Sequence, residues 1–238
     1  MPDRLHGGAQ VFFRSVWDTL GKCLPLFGAV PVTLIYREND RAEFKVSIPL
    51  SFQASAGRHM YSSRPSDLYS CYISIETCPN RDGDYLAVHS SQYALRVGSA
   101  PIVRFEYDRD KSIAHPVAHI HFHGAGTWLS PALMRNKPKQ NKEARQGKIE
   151  GIHFPVGGHR FRPSLEDFLF FLLGECGFEG KTGWENVISR SRNEWMDIQL
   201  RAAVRDNPAV AVEKLRELGY GVVEPEQGPV SYWRRAGW

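Results

Sequence analysis

The chain predicts an α+β fold: a mostly antiparallel sheet, a packed central helix and a C-terminal helical region. Three observations carry this. Between Val32 and Tyr107 apolar residues recur at period two, as half-buried strands require. Leu165 and Phe168 to Leu173 form a run that is apolar nearly all round, which suits a helix buried at the centre of a fold. From Gly180 onward the spacing turns helical, with Trp184, Ile188, Trp195, Ile198 and Ala202 on one stripe.

Each element follows in order. Phe13, Val16, Trp17, Leu20 and Leu24 predict an amphipathic helix over residues 9–24, ended by Gly28 and Pro31. Phe44, Val46, Ile48, Leu50 and Phe52 then alternate with polar residues. Pro49 interrupts that strand, which places it at a sheet edge or a bulge, because proline cannot donate to a ladder. Residues 69–77 alternate again, and Pro79 to Asp84 is turn chemistry leading to a strand from Tyr85. Val103, Phe105 and Tyr107 face one way, with Arg104, Glu106 and Asp108 opposite. Two histidine-bearing strands are expected at Val117–His123 and Gly151–Val156, joined by a polar, basic loop from Ser130 to Lys148. Ser164 and Asp167 form a capping-box signature for the central helix. Asn207-Pro208 opens a last helix that closes at Gly219, with a short strand expected at Gly221–Glu224. The expected division is an α+β domain over 1–178 and a helical appendage over 179–238.

The composition narrows the class. The chain has 238 residues, 42% hydrophobic and 24% charged, with a net charge of +4, so it matches an ordinary globular protein. No run of eighteen apolar residues occurs, so no membrane span is expected and the expected location is cytoplasmic. Cys23, Cys71, Cys78 and Cys176 lack a CxxC spacing and read as free, mostly buried thiols. Histidine is the unusual entry: six of nine lie between His115 and His159.

The motif His119-Ile120-His121-Phe122-His123 sets three imidazoles on one face of a strand. His153 follows on a polar strand face, and His115 could extend the row. Three chemistries suit this pattern, beside the bland alternative of a solvated strand face. His119, His121 and His153 could bind a divalent metal such as zinc and leave room for water. Two imidazoles could serve as acid and base without any cofactor. His121 could instead attack phosphorus as a nucleophile. Asp108 and Asp110 could orient an imidazole.

Two further features bear on the substrate. His159, Arg160 and Arg162 precede the central helix and could form a phosphate cradle. Arg135, Lys137, Lys139, Lys142, Arg145 and Lys148 are opposed only by Glu143, so the loop carries about +5, which suits a polyanion such as RNA. Either set could equally face solvent. No Walker loop, GxSxG elbow or HExxH motif is present.

His119 to Ala125 resembles the histidine-triad signature of nucleotide hydrolases and transferases, in which the middle histidine, His121 here, would be the nucleophile. Gly124 and Ala125 depart from that pattern, and strand-like residues replace the family's preceding helix. Over residues 104–171, the succession RFEYD, a histidine strand and RPSLEDFL resembles TumE-type toxins of bacterial toxin–antitoxin systems. That resemblance implies a growth-inhibiting protein, acting on RNA and restrained by a partner, but it transfers no residue roles.

The expectation is therefore a histidine-dependent enzyme acting on phosphate esters, foremost an RNA-cleaving toxin or phage-defence effector. Its site would comprise His119, His121, His123 and His153, with no cofactor required. The alternatives are a metal-dependent hydrolase on the same cluster, a histidine-triad-like nucleotide hydrolase, and a non-catalytic antitoxin or immunity protein. A protein partner would dock on the C-terminal helices.

Overall fold

The computed structural model describes residues 2–38, 40–51, 68–80, 83, 85–110, 116–124, 130, 134, 142–157, 159–223 and 225–226. Seven strands form one antiparallel sheet in sequential order, a meander: β1 (Val32–Arg37), β2 (Arg41–Pro49), β3 (Tyr69–Pro79), β4 (Leu86–Val97), β5 (Ala100–Asp108), β6 (Ala118–Phe122) and β7 (Phe154–Pro155). Helix α1 (Pro2–Cys23) precedes it. Helices α2 (Leu165–Phe170), α3 (Trp184–Asp206) and α4 (Pro208–Glu217) follow, and a π-turn over Phe171–Glu175 extends α2. The fold is α+β.

Alternation divides the sheet into two unlike faces. Phe44, Val46 and Ile48 of β2, Ile73 and Ile75 of β3, and Tyr93 and Leu95 of β4 point toward the helices and are buried there. Phe13, Val16 and Leu20 of α1 meet them, and Phe13 stacks on Phe44 with ring centroids 5.5 Å apart. Phe168 of α2 is fully buried between Tyr93 and Phe105, at 6.0 and 5.3 Å. Ser164 caps α2 as expected: its side chain accepts from the Asp167 amide and Asp167 accepts from the Ser164 amide. Helix α3 packs on α1 and α2, places Ile188 in the same core, and reaches Asp167 through Arg192 at 2.7 Å.

Several elements depart from the sequence reading. Helix α1 starts well before residue 9, through Gly7 and Gly8. Strand β2 lies between β1 and β3, not at an edge, but β1 pairs with it only as far as Val46. Pro49 therefore sits where β2 has a neighbour on one side, and its missing donor breaks no ladder there. The expected strand Gly151–Val156 shrinks to Phe154–Pro155, because residues 149–151 close into a 3-10 turn with Ile152 donating to Ile149. Residues 221–223 form no strand. Phe122, whose alternation with the histidines would turn it to the core, is 44% exposed and meets Phe154 edge-on. Phe52, most of the Arg81–Asp84 turn and Glu224 lie outside the described residues. All four cysteines are free, three of them buried and Cys176 exposed.

Burial along α2 sets a direct contrast. Phe168→Ala should cost roughly 3–5 kcal/mol in urea unfolding, because it opens a cavity inside an aromatic cluster. Phe170→Ala, at a residue 48% exposed, should cost less than about 1 kcal/mol. Equal losses would contradict this account of the core.

Candidate metal centre

The face of the sheet turned away from the helices carries polar residues. Cross-strand register places Gln92 of β4, Glu106 of β5 and His119 of β6 in one transverse row. Ala94, Arg104 and His121 form the adjacent row. Glu106 joins the two. One carboxylate oxygen, Oε1, accepts from Gln92 Nε2 at 2.6 Å and pairs with Arg104 at 3.2 Å. The other, Oε2, faces Nε2 of His119 at 3.2 Å and Nε2 of His121 at 3.3 Å.

The remaining ring nitrogens are fixed from outside. His119 Nδ1 donates to the Pro116 carbonyl at 2.8 Å, and His121 Nδ1 donates to the Glu150 carbonyl at 3.0 Å. A carbonyl only accepts, so each Nδ1 carries the hydrogen. In neutral imidazoles both Nε2 atoms then present lone pairs toward a carboxylate. That arrangement calls for positive charge between them, supplied by ring protonation or by a cation.

His153 completes the cluster. The turn over 149–151 gives its Glu150 carbonyl to His121, and Val156 donates to Ala118 at 3.1 Å, so both sides of His153 are tied to β6. Its ring centroid lies 4.7 Å from that of His119 and 4.6 Å from that of His121. One nitrogen from each of the three rings lies within 4.8 Å of the others, a group that could hold a metal ion. His119 and His121 are buried and His153 is partly buried.

Two of the separations suit a metal. Bonds of about 2.0–2.1 Å to zinc give tetrahedral ligand–ligand edges of about 3.3 Å. The two Glu106–imidazole separations already have that length, which is also close to the long end of ordinary N–H···O hydrogen bonds. Backbone carbonyls accepting Nδ1–H are also the usual outer support of metal-ligating histidines. The three imidazoles fit as ligands, and Glu106 sits on the His119–His121 edge to balance charge or ligate. Burial raises the Glu106 carboxyl, but hydrogen bonds from His119, His121 and Gln92 and the charge of Arg104 outweigh it. Glu106 is therefore held well below the usual carboxylate range.

The other expected site residues fall elsewhere. His123 shares the cluster's face, with its ring 6.3 Å from His121, and its Nε2 is buried without a partner among the described residues. Burial, Arg104 and His121 push its pKa below the ordinary histidine value. His159 bonds the Tyr107 hydroxyl at 3.1 Å, and Arg162 lies over the Tyr107 ring and donates to the His159 carbonyl. Tyr107 shares the helix-covered face with Phe105, so the sheet separates this group from the three imidazoles. Arg160 pairs with Asp206 at 2.6 Å. Lys142 and Arg145 are exposed. Arg135, Lys137, Lys139 and His115 lie outside the described residues. Asp110 faces His89 at 3.7 Å, and Asp108 accepts from the Asp110 amide.

Glu106 is the residue that motif reading misses. Its signal is the alternation that sets it opposite Phe105 and Tyr107; the register pairing it with His119 is not legible in one sequence. Comparison with protein-family models, curated proteins and solved structures finds no match for this chain.

A carboxyl held low contributes stability that is fully present above its unfolded pKa of about 4.3 and is lost as pH falls toward the folded value. In chelator-treated protein, the stability difference between wild type and Glu106→Gln should be largest above about pH 5 and shrink on acidification. Urea titrations across pH measure it. A difference that grows as pH falls would contradict the carboxylate's place in the cluster.

Proposed function

We propose that this chain is a metal-dependent hydrolase of phosphate esters, with RNA as its substrate class. The observation that carries the reading is the convergence of His119, His121 and His153 around one point, with two Nδ1 atoms committed to carbonyls. A divalent cation bound there would supply activation of water and polarisation of a phosphoryl oxygen. The chain's own residues then divide the remaining work. His119, His121 and His153 hold the ion, and Glu106 orients two of them and offsets its charge. His123, held toward its neutral form, stands beside the cluster as a proton acceptor.

The RNA reading draws on position as well as charge. Lys142 and Arg145 are exposed on the connection between β6 and β7, the same connection that supplies His153 and the carbonyl fixing His121. A basic segment tethered beside the site suits a polyanion. The resemblance to TumE-type toxins adds growth inhibition as the cellular setting, with a restraining partner on the C-terminal helices.

Metal-free acid–base catalysis ranks second. It requires His119 and His121 to share protons with Glu106, two imidazoles with ring centroids 4.8 Å apart and beside Arg104. Burying two such charges together is costly unless they are fully paired.

Protein purified without a histidine tag and loaded with zinc or manganese should hold about one ion per chain. It should cleave RNA, and His121→Ala should lose both the ion and at least about 100-fold of the activity while keeping its circular dichroism spectrum. Full activity in that variant would sink both enzymatic readings. Full activity after chelation, with no bound ion, would favour the metal-free one.

A further inference from the structure

Among the described residues, the buried side-chain nitrogens without a hydrogen-bond partner include Arg96 Nε, Arg104 Nε and His123 Nε2. All three belong to the polar face of β4, β5 and β6. Arg104 stands directly across from His121, and Ala94 stands directly across from Arg104. Arg96 is two residues beyond Ala94 on the same face, diagonal to Arg104 across a register shift at Leu95/Arg96. Its guanidinium lies over the Tyr72 ring, 3.4 Å from the centroid, which fixes its plane. Arg104 spends one terminal nitrogen on Glu106.

A buried donor without a partner is costly, and more so when the group is charged. Two arginines with such donors stand on one face, Arg104 beside the cluster and Arg96 further along β4, and together form a cationic wall. Its only acidic neighbour in the two transverse rows, Glu106, is already engaged by Arg104, Gln92 and two imidazoles. Planar guanidinium groups with spare donors match the geometry of phosphate oxygens.

We infer that Arg104 and Arg96 form an oxyanion subsite for the substrate phosphate, next to the cluster of His119, His121 and His153. This rests on the phosphate-ester reading above and replaces Arg160 and Arg162 as the phosphate-holding pair. The nearer guanidinium, Arg104, would hold the phosphoryl group across from His121. Arg96 would hold a second anionic group further along β4, so the subsite favours a substrate with two phosphates over one with a single phosphate.

Binding of inorganic phosphate and pyrophosphate to the zinc-loaded and the chelated full chain, followed by isothermal titration calorimetry, tests the inference. Pyrophosphate should bind wild type more tightly than phosphate. Arg96→Met should weaken pyrophosphate by at least about tenfold, the loss of one charge-assisted contact, and leave zinc stoichiometry unchanged. Arg96→Lys should recover part of the loss, and Arg104→Met should weaken both anions. Unchanged binding in folded Arg96→Met and Arg104→Met, or no anion binding by zinc-loaded wild type, would overturn the subsite. Zinc that fails to bind, together with arginine-dependent anion binding to the chelated chain, would sink the metal reading and leave the subsite standing.

Discussion

The candidate site depends on one oxygen atom. Glu106 Oε2 lies between Nε2 of His119 and Nε2 of His121, and neither ring can turn away, because each Nδ1 is held by a backbone carbonyl. Five groups thus fix one another: a carboxylate, two imidazoles and two carbonyls. The far side of the carboxylate is held by Gln92 and Arg104, so the orientation is set across three strands. Such mutual support is what keeps a reactive or ligating geometry from relaxing.

The sheet makes this possible by giving its two faces different tasks. One face is buried under α1, α2 and α3 and supplies the rigidity, with Phe168 locked between Tyr93 and Phe105. The opposite face inherits the alternate positions of the same strands, and there polar groups stand in register. Phe105 and Glu106 are chain neighbours with opposite roles: one anchors a helix, the other organises the histidines. A one-residue slip between β5 and β6 would exchange these roles, so the hydrophobic core indirectly specifies the site.

Much of this was legible in the sequence, and the limits have physical causes. The alternation in β2, β3 and β5, the capping box at Ser164 and the Asn207-Pro208 helix start are local signals, and each appears where local chemistry places it. The shared face of His119, His121 and His123 also follows from period two. Three things did not follow. The pairing of Glu106 with His119 is a long-range register. The sheet lies between the imidazole cluster and the expected phosphate cradle at His159 and Arg162, a separation set by strand faces and not by any local signal. His153 itself was expected on a strand, and it reaches the cluster from the non-strand segment between a 3-10 turn and β7, where backbone hydrogen bonds to β6 fix the approach.

The central claim is that His119, His121 and His153 jointly ligate one metal ion. X-ray absorption spectroscopy of the zinc-loaded chain tests it most directly. The account predicts about three imidazole nitrogens at about 2.0–2.1 Å, with the multiple-scattering pattern of ring ligands. It also predicts loss of that pattern in the His119→Ala, His121→Ala and His153→Ala variant. A first shell of oxygen donors without imidazole scattering, or a spectrum unchanged in the triple variant, would contradict it.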